Sequence, residues 1–123
     1  MSPEQFMKNF NWSMETFLVA RKTKFQCAYC NLFFFKDIDS WTQFNVDHLR
    51  PRKDGVRDER IANKVAACWT CNKLKSNFDP GGDDCIVSKL ELIERAKSYI
   101  IEVRNRRSEK VVAMRNAMNQ LND

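Results

Sequence analysis

The sequence has no long hydrophobic run. Its longest unbroken apolar stretch is residues 65–69, five residues, whereas a helix that spans a bilayer needs about 20. The N-terminus has neither the basic region nor the apolar core of a secretion signal. These absences predict a protein with no membrane partner. We expect it to act inside a cell, as a cytoplasmic protein or as a viral protein within its host.

Repeats and low-complexity tracts are also absent from the 123 residues, a length that suits one ordinary domain. Hydrophobic residues make up 43% of the chain and charged residues 30%, which is a globular composition. A chain of this length buries roughly two thirds of its unfolded surface, so a core is feasible but small. Length and composition therefore exclude a membrane protein and a multidomain enzyme.

Acidic residues are scarce in one part of the chain. The net charge is +5, and residues 50–75 contain eight basic but only three acidic residues, so this window carries the whole excess. A local positive surface attracts polyanions, because phosphates release bound counterions when Lys or Arg neutralises them. The window therefore favours a nucleic-acid partner, and the alternative is a solvated surface that aids solubility.

Four of the five cysteines form two C-x-x-C pairs, Cys27 with Cys30 and Cys68 with Cys71. A two-residue spacing lets both thiolates of a pair reach one tetrahedral ion at about 2.3 Å, so the pattern predicts a structural zinc site. Disulfides are a weaker alternative, because no secretion signal is indicated and the cytosol keeps thiols reduced. A redox C-x-x-C is another, but nothing indicates the parallel sheet on which that motif usually lies. Cys85 is left over and is given no role.

Hydrophobic spacing predicts helices towards both ends of the chain. A Ser-Pro pair at residues 2–3 is typical of a helix start, and apolar residues then recur at helical spacing, so we predict one amphipathic helix over residues 3–22. The clearest break is the segment 79–84. Beyond it the spacing predicts one long helix or two shorter ones. A late apolar stripe either packs within the chain or pairs two chains, so a monomer and a homodimer both stay open: Val111, Met114, Met118 and Leu121.

The middle of the chain reads as short strands at residues 44–46 and 64–68, a loop over residues 50–60 and a short helix over residues 69–77. The only histidine, His48, follows the first strand together with its neighbour Asp47 and lies between the two cysteine pairs. Asn63 precedes the second pair, and Asn72 follows that pair directly. Because neighbouring side chains on a strand point to opposite faces, Asp47 and His48 can serve one site only if the chain turns there.

The stretch from residue 27 to residue 75 resembles the HNH endonucleases of the ββα-metal (His-Me finger) type. The resemblance is carried by the two cysteine pairs, by the run Val46-Asp47-His48-Leu49-Arg50-Pro51, and by Asn63, Asn72 and Lys75. The family is named for His, Asn and His, and this chain has asparagine at the third position. The same substitution occurs in active family members.

The resemblance implies an α+β fold in a single nuclease domain. A small ββα-metal core, stapled by the four-cysteine zinc site, would occupy residues 25–79. It would be flanked by an N-terminal α-helix in residues 1–24 and by a C-terminal helical extension in residues 83–123.

The resemblance also implies roles for the site residues. His48 would be the general base, since neutral imidazole is the side chain best suited to activate water near pH 7. Asp47 and Asn72 would hold one catalytic divalent ion, and hard oxygen ligands suit Mg²⁺ or Mn²⁺. Asn63 would brace the turn through backbone hydrogen bonds. Lys75 would either face the same phosphate from one helical turn beyond Asn72 or be a plain surface lysine.

The implied function is hydrolysis of phosphodiester bonds in DNA, with RNA as a further substrate class left open. Basic side chains of the loop would contact backbone phosphates without reading sequence: Arg50, Arg52, Lys53, Arg57 and Arg60. The competing hypothesis is a zinc-containing module that binds nucleic acid and has no catalytic activity. That alternative does not explain why the single histidine stands beside an aspartate and upstream of two asparagines.

Overall fold

The computed structural model describes residues 1–84 and 86–122, so Cys85 lies outside the described residues. Its helices are α1 (Pro3–Phe10), α2 (Met14–Lys22), α3 (Ile38–Trp41), α4 (Trp69–Lys75) and α5 (Lys89–Met118). Its strands are β1 (Phe44–His48) and β2 (Lys64–Cys68), with a 3-10 turn at Ile61–Asn63. Helices and a small antiparallel sheet thus share one core, which confirms the predicted α+β class.

The two strands pair with each other and so bring residues 44–48 beside residues 64–68. They pair in a register that sets Phe44 opposite Cys68 and His48 opposite Lys64. Every residue of β2 is buried, and the core around it includes Tyr29, Phe34 and Leu49. Because β2 runs directly into α4, the end of the sheet and the start of that helix are fixed together.

The N-terminal segment contains two helices, so the prediction of one helix over residues 3–22 is wrong. Asn11 ends α1 in the left-handed conformation with a φ of 56°, which asparagine tolerates better than most residues. Ser13 then caps α2 by accepting a hydrogen bond from the Thr16 amide. The break folds Trp12 back onto Phe6, with ring centroids 5.7 Å apart. Aromatic packing therefore outweighs the continuity that the hydrophobic spacing predicts.

The C-terminal segment is one helix of 30 residues, α5, capped by Ser88. Its buried face packs against α4 and consists of Leu92, Ala96, Ile100 and Val103. The predicted apolar stripe begins in α5 and ends at Leu121, just beyond the helix, and every member is exposed, from 54% at Met114 to 76% at Leu121. The stripe therefore does not pack within the described part of the chain. No helix among the described residues combines the length and the hydrophobicity needed to cross a membrane.

Candidate active site and metal centre

The four paired cysteines converge on one point. The Sγ atoms of Cys27, Cys30, Cys68 and Cys71 all lie within 4.8 Å of one another. The first pair lies in the loop after α2. In the second pair, Cys68 ends β2 and caps α4, and its sulfur accepts a hydrogen bond from the Cys71 amide at 3.3 Å. The predicted metal site is confirmed in its geometry: these residues are positioned to hold one metal ion.

The electrostatics of this cluster favour a cation. Hydrogen bonds from the Cys27 and Cys68 thiols hold the pKa of Cys30 well below its ordinary value. Contacts with Cys27 and Cys30 raise the pKa of Cys68 and of Cys71 well above theirs. Without a cation, Cys30 therefore tends to be a thiolate, whereas Cys68 and Cys71 tend to stay protonated. Four thiolates are the donor set of structural zinc sites.

A cleft of about 730 Å³ opens at the end of β1 beside α4. Its lining includes Asp47, His48 and Asn72, together with Arg52 and Arg57. Both Asp47 and His48 belong to β1, and the chain bends directly after the strand, at Leu49 and Arg50. The strand ends at His48, and the cleft at that end is lined by both side chains.

Asp47 is buried, with 6% of its surface exposed. Its Oδ2 atom accepts a hydrogen bond from the Tyr29 hydroxyl at 2.6 Å and lies 3.2 Å from Nζ of Lys75. Burial raises the pKa of Tyr29 well above its ordinary value, and the charge of Asp47 adds to that effect. The phenol therefore stays a proton donor. Within the described part of the chain, neither Oδ1 of Asp47 nor the side-chain amide of Asn72 has a hydrogen-bond partner.

The imidazole of His48 faces a carboxylate. Its Nε2 atom lies 3.3 Å from Oε2 of Glu59, which also pairs with Arg57 and Lys64. Hydrogen bonds from Arg57, and then from His48, lower the pKa of Glu59 to about 2. Sequence reasoning missed Glu59. The only available signal was its position as one of three acidic residues in a basic window.

Comparison with known proteins identifies the segment that carries this geometry. Residues 27–78 match the sequence profile of the HNH endonucleases. We refer to this matched segment as the HNH domain. The match confirms the resemblance drawn from the sequence, and at family level it indicates a nuclease that acts on nucleic acid. No curated protein and no solved structure matches the chain.

The HNH domain contains both cysteine pairs, both strands, α4 and the cleft. Helices α1, α2 and α5 lie outside the matched residues, and polar contacts join α2 and α5 to the HNH domain. Glu15 of α2 forms an ion pair with Lys64 of β2 at 2.6 Å. On the other side, Nη2 of Arg104 in α5 donates a hydrogen bond to the sulfur of Cys71 at 3.2 Å. The spacing of the cysteines gave no indication of this arginine.

Lys75 is buried inside the HNH domain, with 1% of its surface exposed. Its Nζ donates a hydrogen bond to the backbone oxygen of His48 at 3.0 Å and pairs with Asp47. The alternative that Lys75 is a plain surface lysine is therefore wrong, because its side chain is almost fully buried beside Asp47. Its ammonium instead balances a buried carboxylate.

Asn63 closes the loop between the strands. Its amide oxygen accepts from the Arg50 amide at 2.9 Å, and its Nδ2 donates to the backbone oxygens of Arg50 and Asp58, both at 3.0 Å. The side chain is buried at 5% exposure and lies in the 3-10 turn just before β2. Asn63 thus holds the chain immediately after His48 through main-chain contacts and does not line the cleft.

The basic loop divides into paired and unpaired cations. Arg50 binds Asp79 and the backbone oxygens of Gly82 and Asp84, so its guanidinium already has partners within the chain. Its guanidinium fills the turn of residues 79–84, where Gly81 leaves the room that a side chain would occupy.

The remaining loop cations are exposed. Arg57 pairs with Glu59, and Arg60 pairs with Asp58. Among the described residues, Arg52 and Lys53 have no carboxylate partner, and Arg52 lines the cleft. Of the loop cations predicted to bind nucleic acid, Arg52 and Lys53 are therefore the least compensated.

Proposed function

We propose that this protein is a metal-dependent HNH endonuclease that hydrolyses phosphodiester bonds in DNA. The observation that supports this most is the single cleft lined by Asp47, His48 and Asn72. The cleft lies in a segment that matches a nuclease family. DNA is proposed because of the family likeness, and RNA is a second substrate to be tested.

Asp47 and Asn72 supply the ligands for a divalent ion. Oδ1 of Asp47 and the amide oxygen of Asn72 are hard donors without other partners among the described residues. Mg²⁺ and Mn²⁺ prefer such donors and commonly take only one or two protein ligands beside the substrate phosphate. When bound, the ion supplies positive charge that stabilises the phosphate and the leaving oxygen. The donor set thus fits the ion that the family implies.

His48 acts as the general base, and Glu59 orients it. In the tautomer that suits the contact, Nε2–H donates to the Glu59 carboxylate and Nδ1 is left to accept a proton from water. Because the pKa of Glu59 is lowered to about 2, its carboxylate is charged throughout the neutral pH range. That charge stabilises the imidazolium formed when the water is activated.

The loop cations position the DNA. Arg52 and Arg57 line the cleft that holds the candidate catalytic residues, and Lys53 follows directly in the sequence. Contacts of these side chains to backbone phosphates would fix the duplex in register without reading its bases. Arg60 contributes less, because Asp58 holds its guanidinium through two hydrogen bonds.

The four-cysteine centre holds a structural zinc ion. With four thiolates the ion has no open position, so it takes no part in the hydrolysis. It ties the loop after α2 to the junction of β2 and α4. We also propose that residues 1–24 and 83–123 act with the core as one domain, since Glu15 and Arg104 bind the core from either side.

The test is a plasmid cleavage assay with zinc-loaded protein in buffer freed of other divalent ions. Addition of Mg²⁺ or Mn²⁺ should convert supercoiled plasmid first to the nicked form, because one site cuts one strand at a time. The variant His48→Ala should lose about 10²- to 10⁴-fold in rate, while it keeps its zinc and its circular dichroism spectrum. A mobility shift without cleavage at any divalent ion would instead support the non-catalytic binding module. Single-stranded DNA and RNA substrates then define the substrate class.

A further inference from the structure

The candidate catalytic carboxylate is held from both halves of the four-cysteine centre. Tyr29 lies between Cys27 and Cys30 in the first pair, and Lys75 lies one helical turn beyond Cys71 of the second pair. Both side chains end on the same atom, Oδ2 of Asp47. A metal ion in the four-cysteine centre would hold the two cysteine pairs together, and the residues next to these two pairs are the ones that contact the Asp47 carboxylate.

Tyr29 forms hydrogen bonds both to Asp47 and to the four-cysteine centre. Its hydroxyl donates to Oδ2 of Asp47 at 2.6 Å, and its backbone amide donates to the sulfur of Cys27 at 3.4 Å. The residue is 3% exposed and Asp47 is 6% exposed, so little water can replace the hydroxyl at this carboxylate. Any shift of the first cysteine pair therefore moves the donor that Asp47 depends on.

Lys75 makes the corresponding connection from the second pair. Its Nζ lies 3.2 Å from Oδ2 of Asp47 and 3.0 Å from the backbone oxygen of His48. Helix α4 begins at the second cysteine pair and ends at Lys75, so the position of Cys71 sets the position of this ammonium. Lys75 therefore restrains the Asp47 side chain and the His48 main chain together.

We propose that Tyr29 and Lys75 are positioning residues through which the four-cysteine centre sets the orientation of Asp47. The inference rests on the proposed function. With both donors on Oδ2, the carboxylate cannot rotate freely, and Oδ1, which has no partner among the described residues, is left for an ion in the cleft that Asp47 lines. Neither residue touches the substrate. The structural metal thereby governs how well the catalytic ion is bound, although it lies outside the cleft.

The change in cation affinity on removal of the hydrogen bond to Asp47 distinguishes two roles for that bond. The bond either orients the carboxylate or only compensates its charge. A hydrogen bond that only withdrew charge from Asp47 would weaken its grip on a cation, so its removal would tighten binding. A hydrogen bond that orients the carboxylate has the opposite effect, because its removal leaves Oδ1 free to turn away. Loss of such supporting partners commonly costs about 10- to 100-fold in metal affinity.

The experiment compares Tyr29→Phe with Tyr99→Phe, which removes the only other tyrosine hydroxyl of the chain. Tyr99 stacks on Phe78 with ring centroids 4.0 Å apart, a packing contact that phenylalanine retains. Zinc content is measured by mass spectrometry and Mn²⁺ affinity by electron paramagnetic resonance. We expect both variants to keep their zinc. Tyr29→Phe should bind Mn²⁺ on the order of 10-fold more weakly, with cleavage partly restored at high Mg²⁺, and Tyr99→Phe should match the wild type.

A second measurement uses the wild-type protein, in case Tyr29→Phe loses its zinc. In protein labelled with ¹³C-tyrosine, addition of Mg²⁺ should shift the Cζ resonance of Tyr29 and leave that of Tyr99 in place. The inference would be overturned if zinc-loaded Tyr29→Phe bound Mn²⁺ equally well or more tightly, or if the Tyr29 resonance did not shift on addition of Mg²⁺. Metal-dependent cleavage by the wild-type protein would still support the proposed function in either case. Equal Mn²⁺ affinity of wild type and Asp47→Asn would overturn both.

Discussion

Nε2 of His48 lies 3.3 Å from Oε2 of Glu59, a residue 11 positions away in the sequence. A carboxylate at this distance selects one tautomer of the ring and stabilises the ring when it is protonated. The contact forms because the 3-10 turn and Asn63 bring the end of the loop back beside the end of β1. Glu59 is thus a partner of the proposed base that is not one of the three motif residues, His, Asn and His, for which the family is named.

Replacing that partner should slow the reaction. Glu59→Gln keeps the shape of the side chain but removes its charge, and the new amide can donate to Nε2 and so favour the wrong tautomer. Because the Glu59 side chain is 56% exposed, we expect a loss of about 10-fold in kcat, smaller than the loss at a buried triad aspartate. The measurement is single-turnover cleavage. Glu109→Gln on the exposed part of α5 is the matched control, and an equal rate in both variants would exclude the orienting role.

The pH profile should have one rising limb. A general base works in its deprotonated form, so between pH 5 and pH 8 the rate should rise with pH and then level off once the base has lost its proton. Glu59 adds no second limb in this range, because its pKa is lowered to about 2 and it is fully charged well below pH 5. Initial rates from pH 5 to pH 8 at constant ionic strength check this. A flat profile would point to another base.

Removal of the metal from the four-cysteine centre should unfold the HNH domain. Structural zinc contributes about 10–16 kcal/mol in small zinc-binding peptides, which is comparable to the whole stability of a typical domain. We expect Cys71→Ser to lose most of its zinc and its cooperative melting transition by circular dichroism. Cooperative melting of a zinc-free protein at the wild-type temperature would contradict this.

Arg104 should slow the loss of zinc. Its guanidinium donates to the sulfur of Cys71 and offsets part of the negative charge of four thiolates. Arg104→Ala should therefore release zinc to a colorimetric chelator on the order of 10-fold faster. Arg106→Ala, which removes a cation from the same exposed helix, serves as the comparison. Identical release from the two variants would show that the contact has no effect on metal retention.

Replacing each of two arginines of the basic loop should affect a different property, DNA binding in one case and stability in the other. Arg52→Ala should leave the melting temperature unchanged and reduce the slope of log affinity against log salt by about 0.9, the value for one phosphate contact on duplex DNA. Arg50→Ala should leave that slope unchanged but destabilise the protein by about 1–2 kcal/mol, because it removes the bonds to Asp79 and to the turn of residues 79–84. Fluorescence anisotropy and urea denaturation measure the two effects. The assignment fails if the two variants exchange behaviours.

Short-range patterns in the sequence predicted much of this fold. The spacing of the cysteines predicted the metal centre, the residue types near Phe44 and Val65 indicated the two strands, and the spacing of apolar residues indicated α5. Each cysteine pair, each strand and the helix consists of residues that are close in the chain, where covalent geometry limits the choices. The N-terminal break was missed because its cause, the packing of Trp12 on Phe6, depends on how the chain folds back.

The sequence by itself determined which chemical groups are present: four thiols at metal-binding spacing, one imidazole with a carboxylate beside it, and an amide directly after the second cysteine pair. Only the tertiary structure decided which of these groups meet, and which charges are free. It buried Lys75 against Asp47, closed Arg50 onto Asp79, and set Glu59 against His48. The reason is physical. A pattern of residue types specifies each side chain's chemistry, but burial and ion pairing depend on partners that the chain brings together from 11 to 29 positions away.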